Sequence, residues 1–208
     1  MKLQHKNTLI IVTGGPGTGK SYAAKKICTE IQDLDVLSYD KLKEMEWDRF
    51  GFDNKQQKDR LNRFSLEEFY LSLQKMMWAG KTILIEYPFN HRHKDALTDL
   101  VTQYHYRAIT ILLHGDWRII YERGRNRDKS QDTPRHPGHL TNTYHIENTV
   151  SPQDLIPDAV LSYEEFRADI DRKIYDIRLG HTISVDVTDF SKVDFSDLFK
   201  KIQEADQA

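Results

Sequence analysis

The stretch TLIIVTGGPGTGKS, residues 8–21, decides how the rest of the chain is read. Leu9 to Val12 form a short unbroken apolar run, the pattern of a strand buried on both faces of a parallel sheet. Glycines end the run, and Gly14, Gly19, Lys20 and Ser21 fall at the defining positions of G-x-x-x-x-G-K-[ST]. Glycines let backbone N–H groups converge on phosphate oxygens with no Cβ in the way. The helix that the loop opens points its positive end at the same anion. Gly14, Gly15, Pro16, Gly17, Thr18, Gly19, Lys20 and Ser21 are therefore expected to cradle a nucleotide's phosphates. Lys20 reaches the terminal phosphates, and the Ser21 hydroxyl is placed to coordinate Mg²⁺.

Working outward, Ala23, Ala24, Ile27, Cys28, Ile31 and Leu34 recur at helical spacing, so Cys28 reads as a small packed hydrophobe. A second strand is expected at Val36 to Ser38, followed by Tyr39 and Asp40. KLKEMEWDRFGFDNKQQKDRLNRF, residues 41–64, fits neither the helical nor the strand period. Ser65 and Glu68 have capping-box spacing and predict a helix start, with Leu66, Phe69, Tyr70, Leu73, Met76 and Met77 on one face and Gly80 as the stop. Thr82 to Ile85 predict a third strand that leads into Glu86. A polar helix follows over 92–102, then a fourth strand at Ala108 to Leu113 and a helix from about Asp116 that buries Trp117, Ile120, Tyr121 and Gly124.

RNRDKSQDTPRHPGH, residues 125–139, is a Pro- and Gly-punctuated basic loop of the length found in lids. Ser162 and Glu165 give another capping box, and Phe166, Ile170, Ile174 and Ile177 extend that helix to Gly180. Ile183 to Val187 predict a fifth strand, and Phe195, Leu198, Phe199 and Ile202 a closing helix. Strands alternating with helices define an α/β three-layer sandwich around a five-stranded, mainly parallel sheet. Such sheets bind ligands at the carboxyl ends of their strands.

The 208 residues suit a single domain over 1–208, with a substrate-binding insertion at about 41–64 and a lid at about 123–143. A formal net charge of −2 gives no electrostatic case for a nucleic-acid coat. One cysteine excludes an internal disulfide framework. MKLQHKN leads into only five apolar residues, far short of a signal core or membrane span, so a soluble, cytoplasmic protein without a membrane partner is expected.

A phosphate loop alone does not choose among GTPases, motors and kinases. The sequence has no Asn-Lys-x-Asp guanine signature and no AAA+-type second helical domain, and its third strand ends in Glu86 rather than Asp-Glu. With Asp40 after the second strand, an acid after the third and an Arg-studded lid after the fourth, the layout resembles a group of small AAA-type, ATP-binding P-loop kinases. That group joins polynucleotide 5′-hydroxyl kinases, zeta toxins and chloramphenicol phosphotransferases. The resemblance covers nearly the whole chain in layout, with the phosphate loop as its specific motif. It implies an ATP- and Mg²⁺-dependent enzyme moving the γ-phosphate to a hydroxyl of a small-molecule or nucleotide-like substrate.

The resemblance also assigns roles. Asp40 occupies the place of the Asp that accepts or orients the proton of the substrate hydroxyl; the other reading is an N-cap for the helix starting near Lys41. Glu86 either holds Mg²⁺ with Ser21, acts as base as in deoxynucleoside kinases, or is a buried Glu satisfied by backbone amides. Those kinases follow the Glu with an Arg, absent here. Arg123, Arg125, Arg127 and Arg135 supply guanidiniums that grip phosphate bidentately, with Arg127 and Arg135 as the catalytic pair and Arg123 at the nucleotide. The other reading of the four is a solvated basic face paired with Glu122 and Asp128. Thr188 and Asp189, in the loop after the fifth strand, are candidates for packing on the base.

His136 and His139 lack the further ligands a zinc site needs, and RHPGH reads as a turn that touches substrate or nucleotide. His91 and His93 read as surface. Trp47, Phe50, Phe52 and Phe64, with Lys43, Arg49, Lys55, Arg60 and Arg63, form either an acceptor-binding surface or a solvated flap. Two rival functions stay open: a regulatory nucleotide-binding module without an acceptor, and a zeta-toxin-like nucleotide-sugar kinase.

Overall fold

A computed structural model describes residues 1–130, 134–148, 151 and 154–207. Its strands are β1 (Thr8–Thr13), β2 (Leu34–Ser38), β3 (Thr82–Glu86), β4 (Arg107–His114) and β5 (His181–Asp186). All pair in parallel, in the order β2-β3-β1-β4-β5. Among the described residues the helices are α1 (Lys20–Glu30), α2 (Tyr39–Phe50), α3 (Lys55–Trp78), α4 (Lys94–Gln103), α5 (Trp117–Asp128), α6 (Tyr163–Lys173) and α7 (Phe195–Gln207).

Successive side chains of a strand point to opposite faces, and both faces here are covered. Ile10 and Val12 join Ile27, Ile109, Ile111 and Ile202 on one side, whereas Leu9 and Ile11 join Phe69, Leu73, Ile83 and Phe89 on the other. That explains the unbroken apolar run of β1. Register then places Ser38 beside Glu86 and Val12 on its other flank, so β1, β2 and β3 deliver their carboxyl ends to one place.

The expected elements need correcting at four points. Residues 41–64 are helical, forming α2, a short turn and the first part of α3. Their period was illegible because an inward position is charged: Lys43 is buried alongside Tyr39 and Trp47. Ser65 does not start a helix. Its hydroxyl donates back to the Leu61 carbonyl at 2.9 Å, while Asn54 caps α3 by accepting from the Gln57 N–H at 3.0 Å. Next, α1 stops at Glu30, and Leu34 belongs to β2.

Finally, α6 stops at Lys173, where Ile174 takes a left-handed φ of 50°, and Ile177 is buried in the opposite core. Gly180 ends no helix. It leads into β5 at φ 65°, where a Cβ would run into the Ala108 carbonyl. The stop at Gly80 stands, with Lys81 N–H bonding Met76 O and Gly80 N–H bonding Met77 O in a Schellman pair. Cys28 packs partly buried against the core, and burial pushes its thiol pKa up. No helix of the described residues is long and apolar enough to cross a membrane.

Candidate active site

The loop after β1 is shaped from within. Gly14 sits at φ 136° with the Leu113 carbonyl where a Cβ would stand, so no other residue fits without moving β4. Thr18 Oγ1 donates to Gly15 O at 2.8 Å, and Lys20 Nζ donates to the same oxygen at 2.9 Å. Ser38, Asn54, Asp116 and Ser162 cap α2, α3, α5 and α6. By contrast α1 begins at Gly19 with no side-chain cap and no acid in its first turn, which leaves its N–H groups to an anion. Burial lowers the Lys20 ammonium to a pKa of about 8; Asp40 and Glu86 pull it up, Arg127 and Arg135 push it down.

Glu86 is buried at the end of β3. Its two oxygens accept from Ser21 Oγ at 3.0 Å and Ser38 Oγ at 2.9 Å, so hydroxyls rather than backbone amides satisfy it. Both of its hydrogen-bond donors are neutral hydroxyls, and the carboxylate's charge acts on the nearby Lys20 ammonium. A hard divalent cation suits that charge, and the Ser21 hydroxyl and Glu86 carboxylate are oxygen donors already side by side.

Asp40 stands in the first turn of α2, but Ser38 is the N-cap, so the capping reading of Asp40 fails. Instead Lys43, one turn on, pairs with Asp40 Oδ1 at 2.6 Å. The Lys43 ammonium is buried and lies about equally far from the rings of Tyr39, Trp47 and Tyr87, at 5.1, 5.5 and 5.0 Å. Burial alone would raise the Asp40 pKa, yet Lys43, with His139 and Lys20, holds it well below the usual carboxylate range. Composition singled out neither Ser38 nor the Asp40–Lys43 pair; the i,i+3 spacing on a helix was the available signal.

Arg127 and Arg135 converge on one carboxylate, Asp128, at 2.7 and 3.2 Å. With Pro16, Gly17 and Arg125 they line a cavity of about 210 Å³ beside the phosphate loop. Arg123 does not join them. Its Nη2 donates to the carbonyls of Val187 and Thr188 at 2.7 and 2.8 Å, its guanidinium lies 5.4 Å from the Phe190 ring, and its buried Nη1 has no hydrogen-bond partner among the described residues. Phe190 in turn packs on Gly19. Thr188 is committed locally, with Oγ1 accepting from Asp116 N–H and its own N–H donating to Asp186. Asp189 likewise accepts from Ser191.

The RHPGH turn docks on α2. His139 Nε2 meets Glu44 at 2.8 Å, His136 Nε2 meets Asp48 at 3.1 Å, and Trp47 packs between them and Gly138. Burial lowers the His139 pKa to about 4, so it is neutral at pH 7. Beyond the turn, Tyr144 exchanges backbone hydrogen bonds with Phe52. Among the described residues no His, Cys, Asp or Glu cluster suits a metal on its own. His91 is exposed, as expected; His93 is not, being buried in a capping box with Asn90.

A parallel sheet in the order β2-β3-β1-β4-β5, a phosphate loop leaving its central strand and a Ser–Glu oxygen pair beside it define the P-loop kinase fold. Residues 9–141 match the AAA domain family, and the chain belongs to it. No curated protein matches the sequence. Among solved structures, one similar fold is a protein of Chloroflexus aurantiacus j-10-fl assigned as a kinase, with TM-score 0.73, 20% identity and coverage of 97% of this chain and 99% of that one. Another is a shikimate kinase from Bacteroides thetaiotaomicron, at TM-score 0.57, 10% identity, 97% and 99% coverage. A third is a gluconokinase from Sinorhizobium meliloti 1021, at TM-score 0.55, 11% identity, 98% and 94% coverage.

Proposed function

We propose that the chain is a cytoplasmic, single-domain phosphotransferase that moves the γ-phosphate of ATP to a hydroxyl of a small-molecule or nucleotide-like acceptor. One observation carries this reading: the neighbouring strands β2, β3 and β1 lead at their carboxyl ends into Asp40, Glu86 and the Lys20–Ser21 loop, where Glu86 accepts from both Ser21 and Ser38. A pure binding module has no use for an ionised carboxylate on the acceptor side of the loop.

The backbone N–H groups of residues 14–20 hold the phosphates, and Lys20 exchanges the Gly15 carbonyl for a terminal phosphate oxygen. Arg123, with its spare buried nitrogen, and Thr188 flank the nucleotide. Ser21 and Glu86 would hold Mg²⁺, which supplies charge neutralisation on the phosphate oxygens. Asp40 accepts a hydrogen bond from the acceptor hydroxyl and aligns it. The acceptor O–P bond forms, the bond between the γ-phosphorus and the bridging oxygen breaks, ADP leaves, and the hydroxyl proton is released to solvent while Asp40 keeps the attacking oxygen aligned. Arg127 and Arg135, acting as a lid, release part of Asp128 to meet the transferring group.

The fold neighbours named as shikimate kinase and gluconokinase support a small-molecule acceptor. The test is a transfer screen with labelled ATP and Mg²⁺ over nucleosides, nucleotide sugars, sugar acids and 5′-hydroxyl oligonucleotides. A labelled product absent with Lys20→Ala supports the reading and names the acceptor. Tight ATP binding with no product from any pool would overturn it in favour of a regulatory module.

A further inference from the structure

The outer ridge of α3 carries Phe64, Glu67, Leu71, Lys75 and Trp78 in sequence, an alternation of apolar and charged side chains on one face. Ser65, Phe69, Leu73 and Met77 occupy the opposite, buried face. Phe64, Leu71 and Trp78 are 45%, 48% and 83% exposed, which is unusual for three large apolar groups at heptad spacing. Glu67 and Lys75 stand eight residues apart, about 12 Å along the axis, too far to pair with each other. Among the described residues neither has an ion-pair partner.

The ridge is symmetric about Leu71. Phe64 and Trp78 lie seven residues to either side of it, and Glu67 and Lys75 lie four to either side, with opposite charges. An antiparallel copy with Leu71 facing Leu71 therefore sets Phe64 against Trp78 and Glu67 against Lys75, twice over. A parallel copy would set acid on acid. This is the self-complementarity that a two-fold, isologous contact requires, with flanking charges selecting orientation as they do in coiled coils.

We propose that two copies of the chain associate through antiparallel α3 ridges, with Leu71 on the two-fold axis between Glu67–Lys75 pairs. The ridge is narrow beside the roughly 800 Å² per partner of stable interfaces, so the association is concentration-dependent. Glu67 and Lys75, the residues the test changes, lie outside the phosphate loop, Asp40, Glu86, the lid and the 41–64 insertion, so the test does not depend on the kinase reading.

Sedimentation velocity of the full chain from about 1 to about 200 µM reads the equilibrium. The mean mass is expected to rise from 24.5 kDa toward twice that value. Glu67→Lys and Lys75→Glu should each stay monomeric, as each places like charges opposite one another. An equimolar mixture of the two should dimerise again, because lysines of one chain then meet glutamates of the other. Unchanged melting temperatures show that each variant folds. A wild-type chain monomeric at the highest concentration, a dimer indifferent to both reversals, or a mixture that stays monomeric while wild type pairs would each overturn the proposal.

Discussion

Asp40 and Lys43 pair just beyond the carboxyl end of β2, which the proposed function makes the acceptor side of the site. An Asp held strongly ionised is a poor reservoir for a proton but a fixed hydrogen-bond acceptor, suited to orienting a hydroxyl. Asp40→Asn is expected to lower phosphate transfer by about 10²- to 10⁴-fold while ATP binding survives; unchanged transfer would remove Asp40 from the mechanism. Lys43→Met should let the Asp40 pKa climb, so the acid limb of the kcat profile moves to higher pH with KM for ATP little changed. An unmoved acid limb would show that Lys43 does not act through Asp40. Lys20 gives a second pH dependence. Its folded pKa of about 8 lies below the ordinary 10.5, so between these values the folded protein has shed a proton that the unfolded chain retains. Stability of the free protein then rises with pH across that window. Affinity for ATP falls, by up to about tenfold per pH unit above 8. Calorimetry at pH 7 to 10 reads both, and an affinity flat across the range would contradict the assignment.

At the scale of elements, the five strands' places along the chain and the phosphate loop were legible because they rest on unbroken apolar runs and on a motif with its strand and helix in place; the order of the strands in the sheet was not read from the sequence. The region 41–64 was not, and Lys43 explains why: a buried lysine satisfied by Asp40 and three rings breaks the apolar period without breaking the helix. The roles of Ser38 and Glu44 were hidden for a related reason, since each matters through a partner distant in sequence. The helical face shared by Arg123 and Arg127 was visible, and so was Asp128 as a partner for it, but the turn of Arg123 toward the Val187 and Thr188 carbonyls was not. The seam between α2 and the RHPGH turn gives a stability test. Trp47 is 1% exposed and fills the space against His136, His139 and Phe52. Trp47→Ala should cost about 3–5 kcal/mol in urea unfolding, and a loss under 1 kcal/mol would mean that the seam does not hold the fold together.

Across the whole molecule, the two ends of the chain are tied under the sheet, at the edge opposite the phosphate loop. Asp206, near the end of α7 and 1% exposed, accepts from Gln4 N–H at 2.6 Å and from Thr8 Oγ1 at 3.1 Å, while Arg107 donates to the Asp206 carbonyl at 2.9 Å. Asp206→Ala removes the carboxylate that accepts from Gln4 N–H and Thr8 Oγ1 and is expected to cost about 0.5–1.5 kcal/mol with the proposed site intact; equal stability in thermal unfolding would contradict that role. The carboxyl ends of the five parallel strands thus hold the proposed site, and the opposite ends of β1 and β4 hold the Asp206 contacts. The central proposal is that the carboxyl-end site transfers a phosphate and does not merely bind one. The measurement that tests it most directly is γ-phosphate transfer from ATP to a hydroxyl acceptor, run in parallel on the wild-type chain, Lys20→Ala and Asp40→Asn. The account expects a phosphorylated acceptor from wild type only, with Asp40→Asn still binding ATP. A chain that binds ATP through Lys20 yet phosphorylates no acceptor, with Asp40→Asn indistinguishable from wild type, would contradict it.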